Sequence, residues 1–190
     1  GTVMGVRVNY LKIGSAAPAP ADEAFIFIHG MASSLAFWNL NITQGLAETH
    51  KVVLVALRGH GRSAVPETGY RPAIMASDVL GLMDSLSIPN AHVVAHSFGG
   101  AVALHLARKA PDRVSTLTLA DTRLRGLQPK IDFKNWVIWP QYRDCLATIG
   151  INDWEPKGEL GAAMFTVMAK ARLKSPESFE KLNQMLPSPF

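Results

Sequence analysis

Ser97 lies in the sequence context that a nucleophile requires. It is the third residue of the run AHSFGG at residues 95–100, with small residues two positions before it and two positions after it. A nucleophile on a tight turn between strand and helix needs small residues there, because the backbone folds back on itself. The preceding residues 91–96 predict a strand and residues 98–109 predict a helix. We therefore predict that Ser97 lies at the apex of such a turn, at the positive end of the helix.

A second run, His29-Gly30-Met31, follows the apolar residues 24–28. Acyl transfer creates a negatively charged oxygen, and two backbone N–H donors are needed to stabilise it. We predict that Met31 and Phe98 supply these donors. We interpret His29 as a residue that orders this loop, with a role as general base as the alternative.

The segments around these runs alternate between two kinds of pattern. Residues 6–13 alternate in polarity and predict a half-buried strand, and residues 24–28 and 52–57 predict buried strands. Residues 91–96 and 114–120 predict two further strands. Apolar residues recur at helical spacing from about residue 34, capped by Ser33 or Ser34, to 46 and from 71 to 86, and again in the helix of residues 98–109. Strands that alternate with helices predict an α/β fold, with a mostly parallel sheet and helices on both faces.

The pattern changes after Asp121. Residues 124–190 contain no run typical of a buried strand and predict three helices: around Trp136 and Trp139, at about residues 160–173, and at about residues 176–186. Ser175 and Pro176 are typical of the start of the last one. We therefore predict two domains, residues 1–123 and residues 124–190.

Jointly, these motifs resemble the α/β-hydrolase superfamily in its esterase, lipase, enol-lactonase and carbon–carbon hydrolase branches. The resemblance covers roughly residues 3–123 and is carried by residues 27–31, 57–63, 95–100 and 119–122. It implies a sheet of eight strands, a Ser–His–acid triad and a helical cap after the sixth strand. Residues 124–190 resemble that cap. A serine in place of an aspartate nucleophile disfavours the dehalogenase and epoxide-hydrolase branches.

Two positions depart from the family pattern. Ala95 stands where the family usually has glycine, a change that some branches tolerate. Ala56 stands where the family often has an aspartate, and we expect this change to loosen the turn around Gly59.

The resemblance places the general-base histidine after the eighth strand and the acid usually after the seventh. The chain stops in the cap, so strands seven and eight are absent. None of the six histidines is expected to substitute, and Asp121, at the end of the sixth strand, is an alternative position for the acid. Loss of the base removes most of the rate enhancement of a triad enzyme. We therefore interpret the chain as a nucleophile-bearing fragment, inactive alone, whose partner is a second polypeptide with the triad acid and histidine.

The expected activity is hydrolysis of an ester, lactone, thioester or related acyl bond through an acyl-serine intermediate. The expected substrate is a small, apolar acyl compound, because the predicted cap is rich in aromatic residues and methionine. Two alternatives remain: a small-molecule binding protein or receptor on the same fold, and a non-hydrolytic enzyme such as a lyase or a cofactor-free peroxidase.

Composition argues against several other classes of protein. The net charge is +4, and the basic residues form no dense run of the kind that binds nucleic acid. The chain has one cysteine, Cys145, without ligand-spaced neighbours, so neither a metal nor a cofactor is expected. No apolar run is long enough to cross a bilayer, and we expect a cytoplasmic protein without nucleic-acid or membrane partners.

Overall fold

A computed structural model of the chain describes residues 1–3, 5–14, 24–39, 42–122, 124, 139–148, 150 and 152. The chain divides into two compact units, Gly1–Leu124 and Arg125–Phe190, whereas the division into a core at residues 1–123 and a cap at residues 124–190 stays a prediction. In the second unit the described helix is α5, Trp139–Thr148, which lies in the region of one predicted helix. The helices predicted at residues 160–173 and 176–186 lie outside the described residues.

The first unit is built on a five-stranded sheet. Its strands are β3 (Tyr10–Ile13), β4 (Ala24–Ile28), β5 (Lys51–Val55), β6 (Ala91–His96) and β7 (Val114–Ala120), preceded by a short antiparallel pair, β1 (Thr2–Val3) and β2 (Val6–Arg7). The order across the sheet is β3-β5-β4-β6-β7. Strand β3 is antiparallel to β5, and the other pairs are parallel. This is the mostly parallel α/β arrangement that the sequence predicts.

Along the chain, the helices of the first unit connect the parallel strands. They are α1 (Ala36–Asn39), α2 (Thr43–Ala47), α3 (Pro72–Ser85) and α4 (Phe98–Lys109), with a 3₁₀ turn at Pro111–Arg113. The predicted bounds of β6, α4 and β7 are confirmed residue by residue. The proposed serine capping is also confirmed, because the Ser34 hydroxyl accepts the Ala36 N–H at 3.2 Å.

The structure corrects two element predictions. The single strand predicted at residues 6–13 is two strands, because the Asn9 N–H donates to the Ser63 hydroxyl (2.9 Å) and so leaves the strand ladder. The single helix predicted through residue 46 is two short helices. The Thr43 hydroxyl donates a hydrogen bond to the carbonyl of Trp38 (3.1 Å), so a side chain satisfies this carbonyl at the end of α1. Polarity patterns do not report either contact.

Both faces of the central strands β4 and β5 are buried, whereas β7 is partly exposed. On one face Phe27, Val52 and Leu54 form a cluster with Trp38 of α1. Successive side chains of a strand point to opposite faces, so Ile26, Ile28 and Val53 point to the other face, where they are also buried. Central strands that are buried on both faces require helices on both sides of the sheet, as predicted.

Candidate active site

The order of the strands reverses at β4. Strand β5 lies on one side of β4 and β6 lies on the other side, so the connections that follow β4 and β5 lead in opposite directions across the sheet. In open α/β sheets this arrangement leaves a crevice at the carboxyl ends of the two central strands, where ligands bind. The run at residues 29–31 follows β4, and Ser97 follows β6. The topology therefore places both sequence motifs at the same crevice.

Ser97 forms the turn between β6 and α4. Its backbone has φ 50° and ψ −118°, a conformation that costs a residue other than glycine about 1–3 kcal/mol. Its N–H donates to the carbonyl of Ala120 at the end of β7 (2.9 Å), and its own carbonyl accepts the Gly100 N–H (3.0 Å). The side chain is half-buried. The predicted position at a strained strand-to-helix turn is confirmed, whereas the role of nucleophile stays a prediction.

Two glycines bring the segments of the site together. A Cβ on Gly99 would lie 2.5 Å from the carbonyl oxygen of His29 and 2.6 Å from that of Ile28, so the start of α4 packs directly on the end of β4. A Cβ on Gly30 would lie 3.1 Å from the Cβ of Ser97. The contacts of Gly99 exclude a Cβ, and at Gly30 a Cβ would also lie 2.9 Å from the His96 Nδ1, so a side chain at either position would force its neighbours to move.

This close approach brings the proposed oxyanion donors into one region. Met31 follows Gly30, and Phe98 follows Ser97, so both residues are chain neighbours of the Gly30–Ser97 contact. Phe98 is also the first residue of α4, at the end of the helix that carries positive partial charge. Stabilisation of an oxyanion by these two N–H groups stays a prediction.

His29 connects the two loops at the carboxyl edge of the sheet. Its Nε2 accepts the Leu57 N–H (3.1 Å), so Nδ1 carries the proton and donates it to the carbonyl of Gly30 (2.7 Å). Burial lowers the pKa of His29 from 6.5 to about 4, against the opposing effect of the hydrogen bond to Gly30. A neutral ring with both nitrogens engaged has no lone pair for a substrate proton. These contacts support the interpretation of His29 as a residue that orders the loop rather than a general base.

His96 directs its ring towards α1. The ring stacks on Phe37 with centroids 4.7 Å apart and an interplanar angle of 21°, and it meets Trp38 edge-on at 6.5 Å. Burial lowers its pKa, and the negative charge of Asp121 opposes part of this shift. Asp121 follows β7 with φ 47° and is exposed. The structure thus brings Asp121 to the crevice, while its role as the triad acid stays a prediction.

The other four histidines lie elsewhere in the first unit. His50 and His92 lie at the amino ends of β5 and β6, at the opposite end of the sheet from Ser97. His60 lies in the turn after β5, and His105 lies in α4. All six histidines belong to the described residues, and none is hydrogen-bonded to the Ser97 hydroxyl. The position of the general base is therefore not identified among them.

Hydrogen bonds hold the turn after β5, and the loosening expected from Ala56 stays a prediction. The Ser63 hydroxyl donates to the carbonyl of Ala56 (2.7 Å), and the Gly59 N–H donates to the carbonyl of Ala64 (2.9 Å). These bonds use backbone carbonyls, so they do not need a carboxylate at position 56.

A buried ion pair that sequence reasoning missed also holds this turn. The guanidinium group of Arg58 donates to both carboxylate oxygens of Asp78 in α3, at 2.7 and 2.6 Å, and both residues are buried. A signal for it exists in the sequence, because Asp78 lies among the apolar positions Met75, Val79 and Leu82 of the helical pattern. A carboxylate on the buried side of a helix requires a partner.

Within the described ranges, no group of three or more histidine, cysteine or acidic side chains is placed to hold a metal ion. No helix in the same ranges combines the length and apolarity that crossing a membrane requires.

A family model described as the alpha/beta hydrolase fold matches residues 23–143. The chain belongs to the α/β-hydrolase fold family. The matched segment contains β4 to β7, the loop at residues 29–31 and the Ser97 turn, which together form the crevice described above.

Named relatives in this family differ in activity. The chain is 42% identical over 117 residues to a dihydrolipoyllysine-residue acetyltransferase component of an acetoin cleaving system from Cupriavidus necator, covering 62% of this chain and 30% of that protein. It is 31% identical over 121 residues to 3-oxoadipate enol-lactonase 2 from Acinetobacter baylyi, covering 64% of this chain and 43% of that protein. The alignments thus span less than half of either relative.

A solved structure confirms the fold. The epoxide hydrolase CorEH superimposes on this chain with a TM-score of 0.67 at 22% identity, covering 97% of this chain and 71% of that one. At this identity the likeness shows the fold and not the activity.

Proposed function

We propose that the chain supplies the nucleophile of a serine hydrolase that cleaves an ester, lactone, thioester or related acyl bond. The observation that carries this proposal is the geometry of Ser97. A half-buried serine is held with φ 50° at the crevice, between a central parallel strand and a helix N-terminus. Strained residues that the surrounding structure holds in place are typical of active sites.

The proposed reaction has two steps. The Ser97 Oγ attacks the carbonyl carbon of the substrate while a base takes the hydroxyl proton, and the bond to the leaving group breaks to form an acyl-serine ester. Water then attacks this ester and releases the acid. The N–H groups of Met31 and Phe98 are proposed to stabilise the oxyanion that forms in each step.

The serine favours acyl substrates over epoxides. Attack by a serine oxygen on an epoxide carbon gives an ether, which water does not cleave under mild conditions. Attack on an acyl carbon gives an ester, which water cleaves readily, so the enzyme is regenerated. The similarity to an enol-lactonase and to an acetyltransferase component agrees with acyl chemistry. A soluble epoxide hydrolase is also 34% identical to this chain over 119 residues, so the preference for acyl substrates rests on the serine itself.

We further propose that a second polypeptide segment supplies the base. His29 is fully engaged in the loop, and His96 directs its ring towards α1. Among the described strands, β7 is paired on one side only, with β6, so its other edge can accept a further strand. We call the assembly of this chain with the segment that carries the triad histidine and acid the complemented enzyme.

A serine-directed fluorophosphonate probe tests this proposal. We expect rapid labelling of Ser97 in the complemented enzyme, little labelling of the chain alone, and none in the Ser97→Ala variant. The labelled residue is identified by peptide mass spectrometry.

Ser87 offers a matched control, because it also has a positive φ (52°) but precedes β6 at the opposite end of that strand. Ser87→Ala is expected to label normally. Equal labelling of Ser97→Ala would refute the nucleophile assignment, and equally fast labelling of the chain alone would place the base among its own six histidines. Ligand binding without labelling in any form would favour a binding protein.

A further inference from the structure

The ring of Phe37 is exposed beside the Ser97 turn. Phe37 is 42% exposed, although it lies between two buried aromatic side chains. One is His96, the residue before Ser97, on which it stacks at 4.7 Å; the other is Trp38, which it meets at 4.9 Å and 84°. These contacts hold one part of the ring and leave the rest open at the carboxyl edge of the sheet.

Phe37 differs from other exposed apolar side chains of the first unit. Ile74 and Leu104 are exposed to a similar extent, 40% and 37%, but they lie on α3 and α4, whereas Phe37 lies on α1, shortly after the loop at residues 29–31. Phe37 contacts the turn that carries the proposed nucleophile, and His96 is in turn close to the loop after β4. A Cβ on Gly30 would lie 2.9 Å from the His96 Nδ1. The exposed ring therefore belongs to the wall of the crevice.

We infer that Phe37 is a specificity-determining residue, which binds an apolar group flanking the carbonyl that Ser97 attacks. This inference rests on the proposed function and names the substrate class more narrowly. A ring that is already held on one side loses little side-chain entropy when an aliphatic or aromatic group covers its open side.

The charges around the ring favour an uncharged group. Burial lowers the pKa of His96, so its imidazole is neutral at pH 7. Asp121 lies close enough to act electrostatically on His96, and its negative charge repels an anionic substituent. The described contacts of the Phe37 ring, with Trp38 and with neutral His96, are thus uncharged and suit an apolar group.

Two pairs of esters show on which side of the substrate carbonyl the apolar group binds. p-Nitrophenyl hexanoate and p-nitrophenyl acetate differ in the acyl part, whereas hexyl acetate and methyl acetate differ in the alcohol part. In the complemented enzyme we expect the wild type to prefer the longer member of at least one pair. Phe37→Ala is expected to lower kcat/KM for that member by roughly tenfold and for the shorter one by less than about twofold.

Control variants separate specificity from folding and from chemistry. Ile74→Ala removes a comparably exposed apolar side chain from α3 and is expected to leave both ratios unchanged. Phe37→Gln keeps much of the bulk, so it tests the same loss if the alanine variant does not fold, and Phe37→Leu is expected to retain most of the preference.

Two results would overturn the inference. One is an unchanged long-to-short ratio in Phe37→Ala or Phe37→Gln, as when both esters lose activity equally, and the other is an equal change of the ratio in Ile74→Ala. Survival of esterase activity in Ser97→Ala would instead refute the proposed function itself, and the inference with it.

Discussion

Replacement of Gly99 by alanine tests the packing that positions Ser97. The new methyl group would lie 2.5 Å from the carbonyl oxygen of His29 and 2.6 Å from that of Ile28. Both oxygens belong to the main chain at the end of a central strand, so no side-chain rotation relieves the contact. The start of α4 has to move away from β4 and takes Ser97 with it.

The magnitude follows from two opposing effects. Alanine in place of glycine in a helix gains about 1 kcal/mol from backbone propensity. Overpacking of a close contact costs about 1–3 kcal/mol, and the rigidity of the two carbonyls favours the upper end. The free energy of unfolding is therefore expected to fall by about 2 kcal/mol, which lowers Tm by about 4–8 °C for a chain of this size.

Gly45 in α2 gives the matched control, because a Cβ there would meet nothing within 4 Å. Gly45→Ala is expected to raise the free energy of unfolding by about 0.5–1 kcal/mol. Both variants are measured by urea unfolding followed by tryptophan fluorescence, and fluorophosphonate labelling of the complemented enzyme is expected to slow only in Gly99→Ala. A Gly99→Ala protein as stable and as reactive as wild type would refute the packing argument.

Two further predictions concern buried ionisable groups. Asp78→Asn leaves the Arg58 charge without its partner and is expected to lower the free energy of unfolding by about 3–5 kcal/mol. The double variant Arg58→Met/Asp78→Leu is expected to recover most of this loss. Equal stability of Asp78→Asn and wild type in urea would contradict this prediction. His29 has a folded-state pKa of about 4, below its ordinary 6.5, so the unfolded state binds more protons between these values and stability is lost as the pH falls. From pH 7 to pH 5 the free energy of unfolding is expected to fall by about 2 kcal/mol because of this protonation, and by less in His29→Gln. A free energy of unfolding that does not change over this range would refute the prediction.

The segment from β6 to β7 was predictable because its local signals agree. Strand β6 is apolar and ends at a nucleophile motif, α4 follows with helical periodicity, and Pro111 ends the helix region before β7. Where several local preferences point to the same structure, the bounds of the elements follow from the sequence.

The missed features depend on contacts between distant parts of the chain. The break at Asn9 results from a hydrogen bond to Ser63, and the Arg58–Asp78 pair joins a turn to the following helix. Neither partner changes the local polarity pattern of the other. At the site, residue types predicted the Ser97 turn and the loop at residues 29–31, but the engagement of both His29 nitrogens required coordinates.

The order of the strands has a consequence for the newly made chain. The loop at residues 29–31 is complete early, but β4 reaches β6 only after β5 and α3 have been formed between them. Such non-local pairing requires the loss of loop entropy before any contact compensates for it. A partly synthesised or partly folded chain therefore holds the loop at residues 29–31 without Ser97 beside it. The proposed nucleophile reaches this loop only when the sheet has formed, so we expect an incompletely folded chain to resist acylation.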